Sequence, residues 1–152
     1  MELYKTLDEL SDKVSKLRNH VATEEATKTA FVLPFLVSLG YDIYNPLEVI
    51  PEMDCDISRK GDKVDYAINI DSKPAMIVEC KQCDKSLDAF VLQLAKYYVA
   101  TKARFAILTN GIEYRFYSDM DRVNLMDSKP FFVFDISSFD KHDVELLGRF
   151  QR

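Results

Sequence analysis

Asp65, Glu79 and Lys81 place two carboxylates and an ammonium group in runs that are otherwise apolar. They lie in V-D-Y-A-I-N-I (64–70) and A-M-I-V-E-C-K (75–81), separated by the turn-like D-S-K-P. Alternate strand residues share a face. Met76, Val78 and Cys80 therefore point one way, and Ala75, Ile77, Glu79 and Lys81 the other. In the first run Val64, Tyr66, Ile68 and Ile70 share a face, with Asp65, Ala67 and Asn69 opposite. In an antiparallel hairpin directly opposed residues point to the same side. Asp65 then joins Glu79 and Lys81 only if paired positions sum to an even number, which predicts an odd connection of three or five residues around Ser72. A slip of one residue would send Asp65 to the wrong side.

Two carboxylates held close repel unless a cation lies between them. Mg²⁺ seeks oxygen, takes one or two protein carboxylates and completes its shell with water and phosphate oxygens. A lysine beside such an ion orients water or stabilises charge building on a phosphate. This combination suits metal-assisted phosphodiester hydrolysis. The same residues also permit a plain strand-end salt bridge, worth under about 1 kcal/mol if exposed.

Asp65 followed by Glu79-Cys80-Lys81 resembles the D…(D/E)-x-K signature of the PD-(D/E)xK nuclease superfamily. The wider context resembles the N-terminal nuclease domain of type I restriction enzyme R subunits. Thr23-Glu24-Glu25 opens a helix ending near Leu39-Gly40-Tyr41-Asp42, Gln93-x-x-x-Tyr97 follows the E-C-K strand, and Phe105-Ala106-Ile107-Leu108-Thr109-Asn110-Gly111 comes after that. The likeness covers roughly residues 20 to 136. Val64 rather than Pro precedes Asp65, and nothing in the chain resembles a P-loop.

The resemblance implies an α/β (α+β) fold with a restriction-endonuclease-like core, a mixed central sheet flanked by helices, in the order α-α-β-β-β-α-β-β. It implies a Mg²⁺-dependent DNA endonuclease, with Mn²⁺ as the alternative ion. Asp65, Glu79 and Lys81 would be catalytic, and Asp65, Glu79 and Glu25 would hold the metal. Glu25, Gln93 and Tyr97 would support the site. DNA is the implied partner, with a helicase/translocase or restriction-modification subunit as a second and a homodimer as a further option. The alternative is a non-catalytic or partner-dependent binding and assembly module on the same fold.

Several elements must position these groups. Residues 2 to 19 carry Leu3, Leu7, Leu10, Val14 and Leu17 at helical spacing. Thr23 is an N-cap, and from spacing alone Glu24 and Glu25 complement the helix dipole. The resemblance implies that one of them, Glu25 in preference to Glu24, reaches the metal. Pro34 kinks this helix and Gly40 ends it. Asn45-Pro46 turns into a strand over 47–50, and 51–62 is polar and irregular, with room for a strand around Ile57. Asp54 and Asp56 are read there as solvated loop acids.

Ser86 caps a helix to about Thr101, buried along Leu87, Phe90, Val91, Leu94 and Tyr98. Gln93 and Tyr97 stand one above the other on it, either as a boundary pair or, by resemblance, fixing Lys81 or contacting a phosphate or base. Arg104–Thr109 and Ile112–Tyr117 pair across Asn110-Gly111. Pro130 introduces an edge strand or docking segment over 131–136, and 138–152 holds a short helix.

The 152 residues are read as one domain, with an N-terminal helix (1–19), a family-like core (20–136) and a C-terminal segment (137–152). No apolar run approaches a membrane span and the N-terminus is not a signal peptide. Three cysteines, Cys55, Cys80 and Cys83, fit a reducing cytoplasm. Cys80-x-x-Cys83 lacks the further ligands zinc needs. A net charge of −5 argues against tight DNA binding by this domain alone.

Overall fold

The computed structural model describes residues 2–55 and 62–152. The strand around Ile57 and the reading of Asp56 lie outside them. Helix α1 (Glu2–Leu17) buries Leu7, Leu10 and Val14, the stripe its spacing predicts. Thr23 caps the next helix by accepting from the Ala26 N–H at 3.0 Å. α2 (Glu24–Thr27) widens into a π turn (Lys28–Val32) and runs on as α3 (Leu33–Ser38). Within this turn the Leu33 N–H reaches back to the Lys28 carbonyl. The wide turn lies immediately before Pro34, which has no N–H to give the preceding turn. Gly40 ends the helix at φ +92°, a conformation that glycine adopts without strain.

Among the described residues six strands then form one sheet in the order β1 to β6: Val49–Asp54, Lys63–Ile70, Lys73–Cys80, Phe105–Thr109, Glu113–Tyr117 and Phe132–Asp135. Among these described strands only β3 and β4 run parallel, and α4 (Val91–Thr101) connects them. The other neighbours pair antiparallel. β6 pairs only with β5 and forms one edge, as the Pro130 signal predicts. α5 (Lys141–Leu147) follows, opened by a reciprocal cap between Asp140 and Asp143.

One face of the sheet buries Tyr66, Ile68, Met76, Val78, Cys80, Ile107, Tyr114 and Phe116 against residues of α1, α3 and α5, such as Leu7, Leu10, Phe35 and Leu147. The other face packs Val64, Ala67, Ile77, Ala106 and Leu108 against Leu94, Tyr97 and Tyr98 of α4. No helix among the described residues is long and apolar enough to cross a membrane.

Four local expectations are corrected. The β2–β3 connection holds two residues, Asp71 and Ser72, between the paired Ile70 and Lys73, and not three or five. Both have positive φ, 52° and 64°, as a type I′ turn requires. Parity is restored by a bulge instead: Ile70↔Lys73 and Asn69↔Pro74 give way to Ile68↔Met76 and Tyr66↔Val78, leaving Ala75 as the extra residue. Val64 packs with Ala67 and not with Tyr66, so alternation breaks at Asp65. β1 starts two residues later than expected and extends through Pro51 to Asp54. Ser86 caps nothing; a 3₁₀ turn (Asp88–Phe90) leads into α4, which starts at Val91 without a side-chain cap.

Candidate active site

The antiparallel ladder of β2 and β3 ends at Tyr66↔Val78, and there side chains take over the work of the main chain. The Asp65 N–H donates to Glu79 Oε1 at 3.2 Å, and the Cys80 N–H donates to Asp65 Oδ2 at 2.7 Å. Each carboxylate satisfies a backbone donor that the splayed strands would leave unpaired. Beyond this point β3 stays in the sheet through its other edge, where the Lys81 N–H donates to the Thr109 carbonyl at 2.8 Å. Lys81 therefore leaves a fixed backbone.

Its ammonium donates to Glu79 Oε2 at 3.4 Å and to Gln93 Oε1 at 3.1 Å, and lies 4.5 Å from the centre of the Phe90 ring. Gln93 thus holds Lys81 from α4, one of the two roles anticipated for it. Tyr97 stands one turn further along, 7 % exposed. Burial, and then the charge of Glu79, push its phenol up to about 12, so it is a hydrogen-bond donor at neutral pH. Glu79 is 5 % exposed. Burial first, then the facing charge of Asp65, raise its carboxyl to about 8, with Lys81 pulling against both.

From the opposite side comes a residue that the sequence reading passed over. Lys28, on the π turn, is buried, and its ammonium lies 2.6 Å from Glu25 Oε1 and 3.4 Å from Asp65 Oδ1. Burial disfavours its charge, but the hydrogen bond to Glu25 and the charges of Asp65 and Glu25 outweigh this and hold it protonated. The only sequence signal was its place three residues after Glu25, which an exposed i,i+3 ion pair would share. Thr27, fully buried, fixes the turn: its hydroxyl donates to the Thr23 carbonyl and accepts from the Cys83 N–H at 3.1 Å. Gln82 reinforces it by donating to the Ala22 carbonyl.

Asp65, Glu79, Lys81 and Gln93 are therefore brought together, with Tyr97 one turn beyond Gln93 on α4. Glu25 is linked to Asp65 through Lys28 and keeps its carboxylate largely in solvent. Glu24, the other acid of that turn, is exposed. Among the described residues no group of three or more His, Cys, Asp or Glu side chains is placed to hold a metal ion. Asp65 and Glu79 do suit a hard divalent cation. Glu79 is pushed up first by burial and then by the facing charge of Asp65, a repulsion that such an ion would relieve. Two protein carboxylates are the usual number for Mg²⁺. Cys80 is wholly buried among the helices on the other face, where a thiol acts as a small apolar group.

The sequence model of the family described as Type I restriction enzyme R protein N terminus (HSDR_N) matches residues 23–130, and the chain belongs to that family. Among solved structures, the fold is similar to part of one titled "cryoEM structure DrdV-DNA complex", with a TM-score of 0.56 at 13 % identity. That match covers 99 % of this chain and 14 % of the other, so the present chain spans about a seventh of the length of its structural neighbour. No curated protein matches.

Proposed function

We propose that this chain is a Mg²⁺-dependent DNA endonuclease domain of the PD-(D/E)xK type that hydrolyses phosphodiester bonds. The observation that carries this reading is the clustering of Asp65, Glu79, Lys81 and Gln93 at one strand end, tied by bonds of 2.7 to 3.4 Å. Asp65 and Glu79 would hold the ion, with Mn²⁺ as a substitute, and Glu25 would join them from α2. When bound, the ion supplies Lewis-acid stabilisation of the phosphate and acidifies a water. Lys81 is oriented by Glu79 on one side and Gln93 on the other, so its remaining N–H positions the attacking water and steadies charge on the phosphoryl oxygens. Phe90 restricts the sweep of the lysine stem. Tyr97, protonated at neutral pH, offers a hydroxyl donor to a phosphate oxygen.

A second reading has an observation of its own. The net charge of −5 is unfavourable for gripping a polyanion, which favours a domain that depends on a helicase/translocase or another restriction-modification subunit for DNA contact.

The test is nicking of supercoiled plasmid with Mg²⁺ or Mn²⁺ by the wild type, Glu79→Ala and Lys81→Ala. Metal-dependent nicking reduced on the order of a hundredfold or more by each substitution is the expected result. Nicking that survives both would sink the assignment. An inert wild type favours the partner-dependent reading.

A further inference from the structure

Lys28 is a buried cation held between two of the three carboxylates assigned above to a divalent ion. Its stem is enclosed in the π turn and its ammonium touches Glu25 on the solvent side and Asp65 on the inner side, at 2.6 and 3.4 Å. Asp65 is otherwise fixed: Oδ2 is taken by the Cys80 N–H. Its other oxygen, Oδ1, is the one facing Lys28. A divalent cation bound to Oδ1 and Glu79 would sit beside the ammonium, and two cations sharing one carboxylate oxygen repel strongly in a site this enclosed. Lys81, on the opposite side of Glu79, already supplies a second positive charge. Lys28 pairs with Glu25 and Asp65 while Lys81 pairs with Glu79, so each acid already has a lysine partner.

We propose that Lys28 is a positioning residue that acts as the built-in counter-ion of this site and competes with the divalent cation for Asp65 and Glu25. The ion gains Oδ1 of Asp65 and the carboxylate of Glu25 only when the Lys28 ammonium moves off them. The short reach from Glu25 to solvent gives the ammonium a place to go, since Glu25 itself is largely exposed. The inference rests on the reading of Asp65 and Glu79 as the cation site.

The experiment measures Mn²⁺ affinity by electron paramagnetic resonance for the wild-type chain, Lys28→Gln, Lys28→Arg and Asp65→Asn, without DNA. Lys28→Gln removes the charge and keeps much of the length, and is expected to bind Mn²⁺ about tenfold tighter. Lys28→Arg keeps the charge and stays within about twofold of the wild type. A purely structural lysine would give the opposite sign, because losing it would loosen the site and weaken binding. Equal or weaker binding by Lys28→Gln, alongside wild-type binding that Asp65→Asn abolishes, overturns the role of Lys28 and leaves the nuclease reading standing. Absence of Asp65-dependent Mn²⁺ binding in both the wild type and Lys28→Gln overturns the two together. Acetic anhydride labelling of the wild type requires no variant: Mg²⁺ is expected to increase modification of Lys28, and unchanged labelling at saturating ion counts against the proposal.

Discussion

Glu79 is the residue on which the chemistry and the stability of this site meet. Its carboxyl is raised from 4.5 to about 8 by burial and by Asp65. A group held above its unfolded value binds a proton in the folded state that the unfolded chain has released. Its contribution is complete below about pH 4.5 and is lost as pH rises through 8. The metal-free protein is therefore expected to lose stability from Glu79 between pH 5 and pH 8. Glu79→Gln cannot ionise and keeps an oxygen for the Asp65 N–H. In EDTA at pH 8 it should unfold at a higher temperature than the wild type, with the difference shrinking as the pH falls towards 5. Thermal melts at the two pH values measure this directly. A wild type that is equally stable at both, and matched by the variant, would show that the two carboxylates do not repel.

At the scale of elements, the site depends on contacts that hold the helix carrying Glu25 and Lys28 against the ends of β3 and β4. One is the turn after β4, whose two central residues are Gly111 and Ile112 and not the expected Asn110-Gly111, since Asn110 pairs with Glu113. Asn110 Oδ1 accepts from the N–H groups of Ile112 and Glu113 at 3.0 and 2.9 Å, which shapes the reversal. Gly111 adopts φ +82°, and a Cβ there would come within 3.0 Å of both the Phe31 Cβ and the Thr27 Cγ2. Gly111→Ala is thus strained in its backbone and presses on the π turn that presents Lys28. The expected loss is about 2 to 4 kcal/mol by denaturant unfolding, the sum of a left-handed penalty and an overpacking penalty. The bulge at Ala75 acts at the other end of β3 and sets which side Asp65 faces. Its carbonyl is used, accepting from the Arg104 N–H at 3.1 Å, so the irregularity is anchored to the strand that follows α4.

At the scale of the whole molecule, the sheet separates two cores, and the site opens where α2 on one face and α4 on the other reach the same end of β3. The larger core is aromatic. Phe35, wholly buried, stacks on Tyr114 at 3.7 Å between ring centres and touches Phe134 at 5.9 Å. This contact joins α3 to β5 and β6, far along the chain from the acids. Phe35→Ala should cost about 3 to 5 kcal/mol in urea unfolding. It should also weaken Mn²⁺ binding indirectly, since α3 continues the helix that carries Lys28 and Glu25. A variant destabilised to that degree but with unchanged ion affinity would show that the site end of the helix is held by Thr27 and Gln82 alone.

The sequence by itself determined the elements whose signals are local. α1 follows from its apolar spacing, the start of α2 from Thr23, the end of α3 from Gly40 and the edge position of β6 from Pro130. It also supplied the identity of the central acids and lysine, because polar residues in apolar strands stand out against their neighbours. Only the tertiary structure decided how Asp65 comes to face Glu79. The Asp71-Ser72 turn alone sets the wrong parity, and a bulge corrects it through pairing with β2 and β4, which no local pattern encodes. The same holds for Lys28, whose spacing describes an ordinary surface ion pair. Burial on a π turn against Asp65, thirty-seven residues away, makes it part of the site, and a contact across that distance exists only once the helix has packed on the sheet.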